Sequence, residues 1–137
     1  MLTSVTHLRM GQAARLLGVS DDTVRRLAEA GELEVSRDAA GRQVVEGLSL
    51  ARYLRGRAGE PESEHRSSAR NRLVGLVTDV KRDDVMSQVE MQCGPFRLVS
   101  LMSTEAVDDL GIAPGVLAAA VVKATTVIVE LADPDSL

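Results

Sequence analysis

Two groups of donors, far apart in the chain, share one chemical character. Ser68-Ala69-Arg70-Asn71 sets a hydroxyl and a guanidinium beside the consecutive amides of Ala69 to Asn71, and Lys123-Ala124-Thr125 follows roughly fifty residues later with an ammonium, two amides and a hydroxyl. A tetrahedral dianion needs donors on several sides. Amides and hydroxyls supply them without burying much charge, and one or two cations offset the charge of the ion itself. Ser103, where a short helix is expected to start, adds a hydroxyl beside main-chain N–H groups that favour anions. Arginines form a second set. Arg25 and Arg26 stand next to Thr23, and Arg37 and Arg42 flank Asp38-Ala39-Ala40-Gly41. Guanidinium groups placed on a helix and around a turn suit phosphate oxygens or guanine edges. Taken singly, each residue also has a plain surface role. Arg70 can pair with Asp79, and the four arginines can pair with Glu29, Glu32 or Glu34. The joint pattern carries the weight.

The elements that must position the first set alternate strand and turn. Leu73 to Val80, Met86 to Gln92, Phe96 to Met102, Val116 to Val122 and Thr126 to Leu131 read as strands, with Lys81 to Asp84 and Cys93-Gly94-Pro95 as turns. Ser103 to Leu110 has helical period and opens with two hydroxyls, and Leu110 to Gly115 reads as a helix end and turn. Five strands and one short helix suit a small OB-like barrel. Lys123 closes an otherwise apolar strand, where an unpaired buried ammonium would be costly.

The second set belongs to a helical head. Met10 to Gly18 has apolar residues at helical spacing and ends in glycine; Ser20 is a strong N-cap before Asp21 and Asp22. The helix from Asp21 to Ala30 puts Val24, Leu27 and Ala28 on one face and Arg25 and Arg26 on another. Two short helices joined by Gly-Val-Ser make a helix-turn-helix pattern. A hairpin over residues 32–45, turning at Asp38 to Gly41, reads as a wing, and Leu48 to Leu54 as a last helix with Leu50, Tyr53 and Leu54 inward. From Arg57 to Ser67 the chain is polar and reads as a flexible linker.

With these residues in this order, 67–130 resembles the molbindin (Mop or TOBE) domain, which binds molybdate and tungstate. Ala13 to Ser20, Thr23 to Arg26, Ala30 to Leu33, Arg37 and Gly41-Arg42 make residues 8–55 similar to the winged helix-turn-helix of the MerR and excisionase superfamily. The resemblances imply an α+β chain of two domains. Residues 1–57 would form a winged helix-turn-helix that contacts double-stranded DNA through Thr23, Arg25, Arg26, Arg37 and Arg42. A linker would cover 58–67, and 68–132 would form an OB-like five-stranded β-barrel of molbindin type. In molbindins the oxyanion sits at subunit interfaces, which implies ligand contacts from Ser68, Ala69, Arg70, Asn71, Ser103, Lys123, Ala124 and Thr125 drawn from different chains. Ser103 stands where the family commonly has Thr. Ala106 stands where it often has Ser, so a hydroxyl near the helix start is missing, a change that bears on affinity more than on ligand class.

Composition sets the bounds. Phe96 and Tyr53 are the only aromatics and Trp is absent, so any core is aliphatic. Two small aliphatic domains gain stability by association, and a homo-oligomer (a dimer or a trimer of dimers) is expected. Cys93 is the only cysteine; it forms no intramolecular disulfide and reads as a small apolar residue. The net charge is −4, yet residues 1–58 carry nine Arg against seven Asp and Glu, so nucleic-acid contact belongs to the head. No apolar run is long enough to span a membrane and no signal pattern opens the chain; a cytoplasmic protein is expected. His7 and His65 read as polar residues in unstructured or linker contexts, and Asp83-Asp84 and Asp108-Asp109 as solvated charges, so no enzyme is expected. The leading function is a molybdate- or tungstate-responsive DNA-binding regulator. The alternatives are a molybdate store, or an excisionase-like DNA binder whose barrel only oligomerises.

Overall fold

The computed structural model describes residues 6–58 and 67–137, which fall into two compact units. Residues 6–58 and 130–137 form one, and 67–129 the other. Most of the expected linker, 59–66 with His65, lies outside the described residues.

In the first unit, β1 (His7–Arg9) runs straight into α1 (Met10–Leu17). The Gln12 side-chain oxygen accepts from the Arg9 N–H at 2.9 Å and fixes that junction. Gly18, at φ 69°, ends α1 in the left-handed conformation that favours glycine. Ser20 Oγ accepts from the Thr23 N–H and starts α2 (Asp21–Glu29), with both aspartates in its first turn. β2 (Val35–Arg37) and β3 (Gln43–Glu46) form the wing, and β1 joins them in an antiparallel sheet ordered β1-β3-β2. His7, expected outside any element, therefore pairs with Glu46 in the sheet. Its alternation with buried Leu8 is a strand signal too short to stand out without the partner strand. α3 (Gly47–Arg57) packs Leu50, Tyr53 and Leu54 onto the core. That core is Leu8, Ala13, Ala14, Val24, Leu33, Val45 and Leu50. Burying each of the larger members contributes about 1.5–3 kcal/mol.

The second unit is one antiparallel sheet, ordered β6-β5-β4-β7. Its strands are β4 (Asn71–Arg82), β5 (Met86–Cys93), β6 (Phe96–Ser103) and β7 (Leu117–Val122), with α4 (Thr104–Leu110) after β6. The twelve-residue β4 pairs with β5 along one half and β7 along the other, and a register shift at Thr78 bends it. Its odd residues Leu73, Gly75 and Val77 face inward, joining Val89, Met91, Cys93 and Val107. Cys93 is a free, buried thiol within this core. α4 closes the core through Val107, and its first residue, Thr104, bonds the buried Ser87 hydroxyl at 2.7 Å.

The α+β architecture is thus as expected, with one element different. Thr126 to Leu131, expected as the fifth and closing strand, pairs with no strand among the described residues. Lys123 to Thr126 folds into a 3₁₀ turn, and Val127, Ile128, Val129 and Leu131 follow as exposed side chains. Their apolar pattern reads as a strand from the sequence, but a strand exists only where a second edge supplies its hydrogen bonds.

Candidate functional site

The first set of donors converges at one end of β4. Asn71 opens that strand and stands opposite Val122, the last residue of β7, and its side-chain amide donates to the Val122 carbonyl at 3.0 Å. Ser68, Ala69 and Arg70 precede Asn71, and Lys123, Ala124 and Thr125 follow Val122 directly. The two clusters therefore lie side by side in a single chain. Arg70 turns back on its own segment, toward the Ser67 and Ser68 carbonyls at 3.5 and 3.4 Å, and does not pair with Asp79. Among the described residues neither Arg70 nor Lys123 has a carboxylate partner.

Two of the expectations change. Lys123 sits just past the end of β7 and is exposed, as are Ala124 and Thr125. No buried ammonium has to be explained, because the apolar strand stops one residue earlier. Ser103 is not brought to the cluster. It pairs with Met86 at the far end of β5, beside the Arg82–Ser87 pair that closes the opposite end of β4. Its hydroxyl caps α4 by accepting from the Ala106 N–H at 3.1 Å. The methyl of Ala106 thus replaces any hydroxyl there without leaving its amide unbonded.

The head arginines are exposed and locally tied. Arg25 pairs with Asp22 at 3.2 Å, Arg26 reaches Thr23 Oγ1 at 3.3 Å, Arg37 donates to the Gly41 carbonyl at 2.7 Å, and Arg42 pairs with Asp38 at 3.0 Å. None pairs with Glu29, Glu32 or Glu34; the helix and turn put closer acceptors in reach. Asp38 organises the wing turn. Its carboxylate accepts from the Ala40 and Arg42 amides, each at 2.9 Å. The Arg42 amide, then the Arg42 charge, hold its carboxyl below the ordinary 3.8. A depressed carboxyl stabilises the turn at all pH above its unfolded value and loses that contribution as pH falls through its folded value. Protection of the Ala40 and Arg42 amides, taken relative to their intrinsic exchange rates, should therefore fall only as the pH drops below about 3.8. Protection already absent near neutral pH would remove Asp38 from this role. Two further cations, Arg9 at the end of β1 and Arg15 on α1, belong to no expected site; their lack of periodic company hid them.

Residues 67–129 match the TOBE domain family and residues 8–58 match a helix-turn-helix domain family. Over 63 residues the chain is 36% identical to molybdenum-pterin-binding protein 3 of Clostridium pasteurianum, which is 45% of this chain and 93% of that protein. The chain belongs to the TOBE family. Molybdenum-pterin-binding protein 2 of the same organism matches with the same identity and coverage. A molybdate-binding protein from Sporomusa ovata, of known structure, is 31% identical, with a TM-score of 0.47 covering 49% of this chain and all of that one. The TOBE match spans the sheet, α4 and both donor clusters, and the helix-turn-helix match spans the head. These are binding families rather than enzymatic ones. Among the described residues no three His, Cys, Asp or Glu side chains gather as a metal site, and no helix is long and apolar enough to cross a membrane.

Proposed function

We propose that the protein is a cytoplasmic, molybdate- or tungstate-responsive regulator that binds double-stranded DNA through its helix-turn-helix head. The observation that carries this reading is the Asn71–Val122 pair, which sets Ser68 to Asn71 beside Lys123 to Thr125 at an exposed end of a TOBE sheet. Relatives named for molybdenum-pterin binding support the ligand class. In one chain the cluster is a half-site. It has cations, hydroxyls and amides but little shielding from water, and Ser103 lies at the other end of the strand. A second copy would supply what is missing, so the ion is bound between subunits of a homo-oligomer. Among the described residues Val127 to Leu131 is unpaired and β6 and β7 have open edges, which supports that association, since exposed apolar segments and open edges favour pairing. An ion that binds one arrangement of the paired heads better than another shifts DNA affinity by that difference.

Calorimetric titration with molybdate, tungstate and sulfate tests the ligand. Heat with molybdate or tungstate is expected, and no heat with molybdate sinks the reading. The head is tested by gel retardation of duplex from the upstream region of its own transcription unit. Arg25→Ala should weaken retention by about 1–3 kcal/mol if Arg25 reads a base edge. Equal retardation of both proteins would remove the second helix from DNA recognition.

A further inference from the structure

The head carries a cleft that its expected DNA contacts do not use. It measures about 370 Å³ and is lined by Arg9, Gly11, Gln12, Arg15, Asp135 and Leu137. Gln12 is 7% exposed, and its side-chain oxygen is taken by the Arg9 N–H. Its amide donors point into the cleft, where they meet the Pro134 carbonyl at 3.0 Å and the Asp135 carboxylate at 3.2 Å. Arg9 donates to the same Asp135 oxygen at 3.0 Å, and the Arg15 guanidinium donates to the main-chain oxygen of Leu137. Arg9, Gln12 and Arg15 recur every third residue, so they form one donor stripe that begins at the N-cap of α1 and continues along one face of the helix. A buried amide and two guanidinium groups aimed at oxygens from a carboxylate and two main-chain carbonyls make an oxyanion cradle.

The cleft adjoins the second helix. A Cβ added to Gly11 would lie 3.8 Å from the Asp21 carboxylate, in the first turn of α2. In helix-turn-helix docking the N-terminal residues of the second helix meet base edges while the first helix crosses the phosphate backbone. We propose that the Arg9–Gln12–Arg15 cradle is a contact site for a DNA phosphate, and that the segment Asp133–Leu137 occupies it as an internal competitor. This rests on the head binding duplex DNA. Asp135 supplies the anionic oxygen that a phosphodiester would supply. Leu137 anchors the segment by packing, half-buried, against the head core. The Arg9–Asp135 pair itself is exposed, at 53% and 79%, and so is weak enough for a polyanion to displace.

The test uses the full chain, one mixed-sequence duplex and a salt series. Asp135→Ala should tighten binding about two- to tenfold, and should steepen the dependence of log affinity on log salt by about 0.9, one phosphate contact. Glu130→Ala makes the same charge change three residues before that segment, at a side chain that does not pair with Arg9, and should leave the slope unchanged. Adding Arg9→Ala to Asp135→Ala should abolish the gain. The proposal is overturned if Asp135→Ala binds like the wild type, if Glu130→Ala gives the same gain, or if the gain survives in the double variant. Failure of the head reading looks different: the wild-type chain then retains no duplex that Arg25→Ala can release.

Discussion

Lys123→Ala is expected to weaken molybdate binding by about ten- to a hundredfold, the loss of one charge-assisted hydrogen bond to the ion. The fold should survive unchanged. Lys123 is exposed, and its side chain neither caps the 3₁₀ turn that follows nor pairs with a carboxylate among the described residues. The turn depends on main-chain groups, with the Thr126 N–H and hydroxyl both donating to the Lys123 carbonyl. Calorimetry beside a melting curve separates the two effects. Lys123→Arg restores the charge but spreads it over a planar fork, so partial recovery is expected. Lys81→Ala, an equal loss of charge on β4 away from the donor clusters, is the control. Unchanged heat in Lys123→Ala would move the site away from this end of the sheet, whatever the family membership of the domain.

Gly75→Ala should do the opposite, damaging the fold first and binding as a consequence. A Cβ there would lie 2.6 Å from Cys93 Sγ and 2.9 Å from the Gln92 carbonyl carbon, with the Gln92 carbonyl oxygen closer still. The obstacle includes backbone, which cannot rotate away, so β4 and β5 must separate where Leu76 pairs with Gln92. Overpacking of this kind costs about 1–3 kcal/mol. For a unit of this size each kcal/mol lowers the midpoint by roughly 4–8 °C. Differential scanning calorimetry should show the TOBE transition shifted down while a transition of the head stays in place. Molybdate binding should weaken in proportion, because Asn71 lies on the same strand four residues earlier. An unshifted TOBE transition would mean that the strands can part at no cost, which the buried Cys93 and Val77 on either side argue against.

Much of this was readable along the chain because the signals are local. Ser20 and Ser103 mark helix starts, Gly18 and Gly111 mark helix ends, and α1, α2 and α4 form within a residue or two of those marks. Asp38 to Gly41 forms the wing turn because its hydrogen bonds join residues four apart or fewer. Strand existence was also legible from alternation, in β4, β5, β6 and β7 alike. The residues quoted for the TOBE and helix-turn-helix resemblances mark the segments that match those families, since such residues carry a segment's identity without reference to its partners.

Contacts between distant segments had no such signal. Composition and spacing name Ser68 to Asn71 and Lys123 to Thr125 as donors, but only the antiparallel register of β4 and β7 makes them neighbours. The β5–β6 and β4–β5 registers carry Ser103 to the other end, although its residue type suits the cluster equally well. Val127 to Leu131 has the alternation of a strand and is unpaired among the described residues, because pairing requires an edge that local sequence cannot specify. Asp133 to Leu137 carries no local signal of a partner, yet its oxygens accept from a buried glutamine more than a hundred residues away. By itself the sequence determined which elements form, where they start and stop, and which families they belong to, because caps, turns and periodicity act between residues a few positions apart. The tertiary structure decided which donors meet, which strand stays open and what covers the first helix. Those outcomes depend on register and edge pairing between segments far apart in the chain.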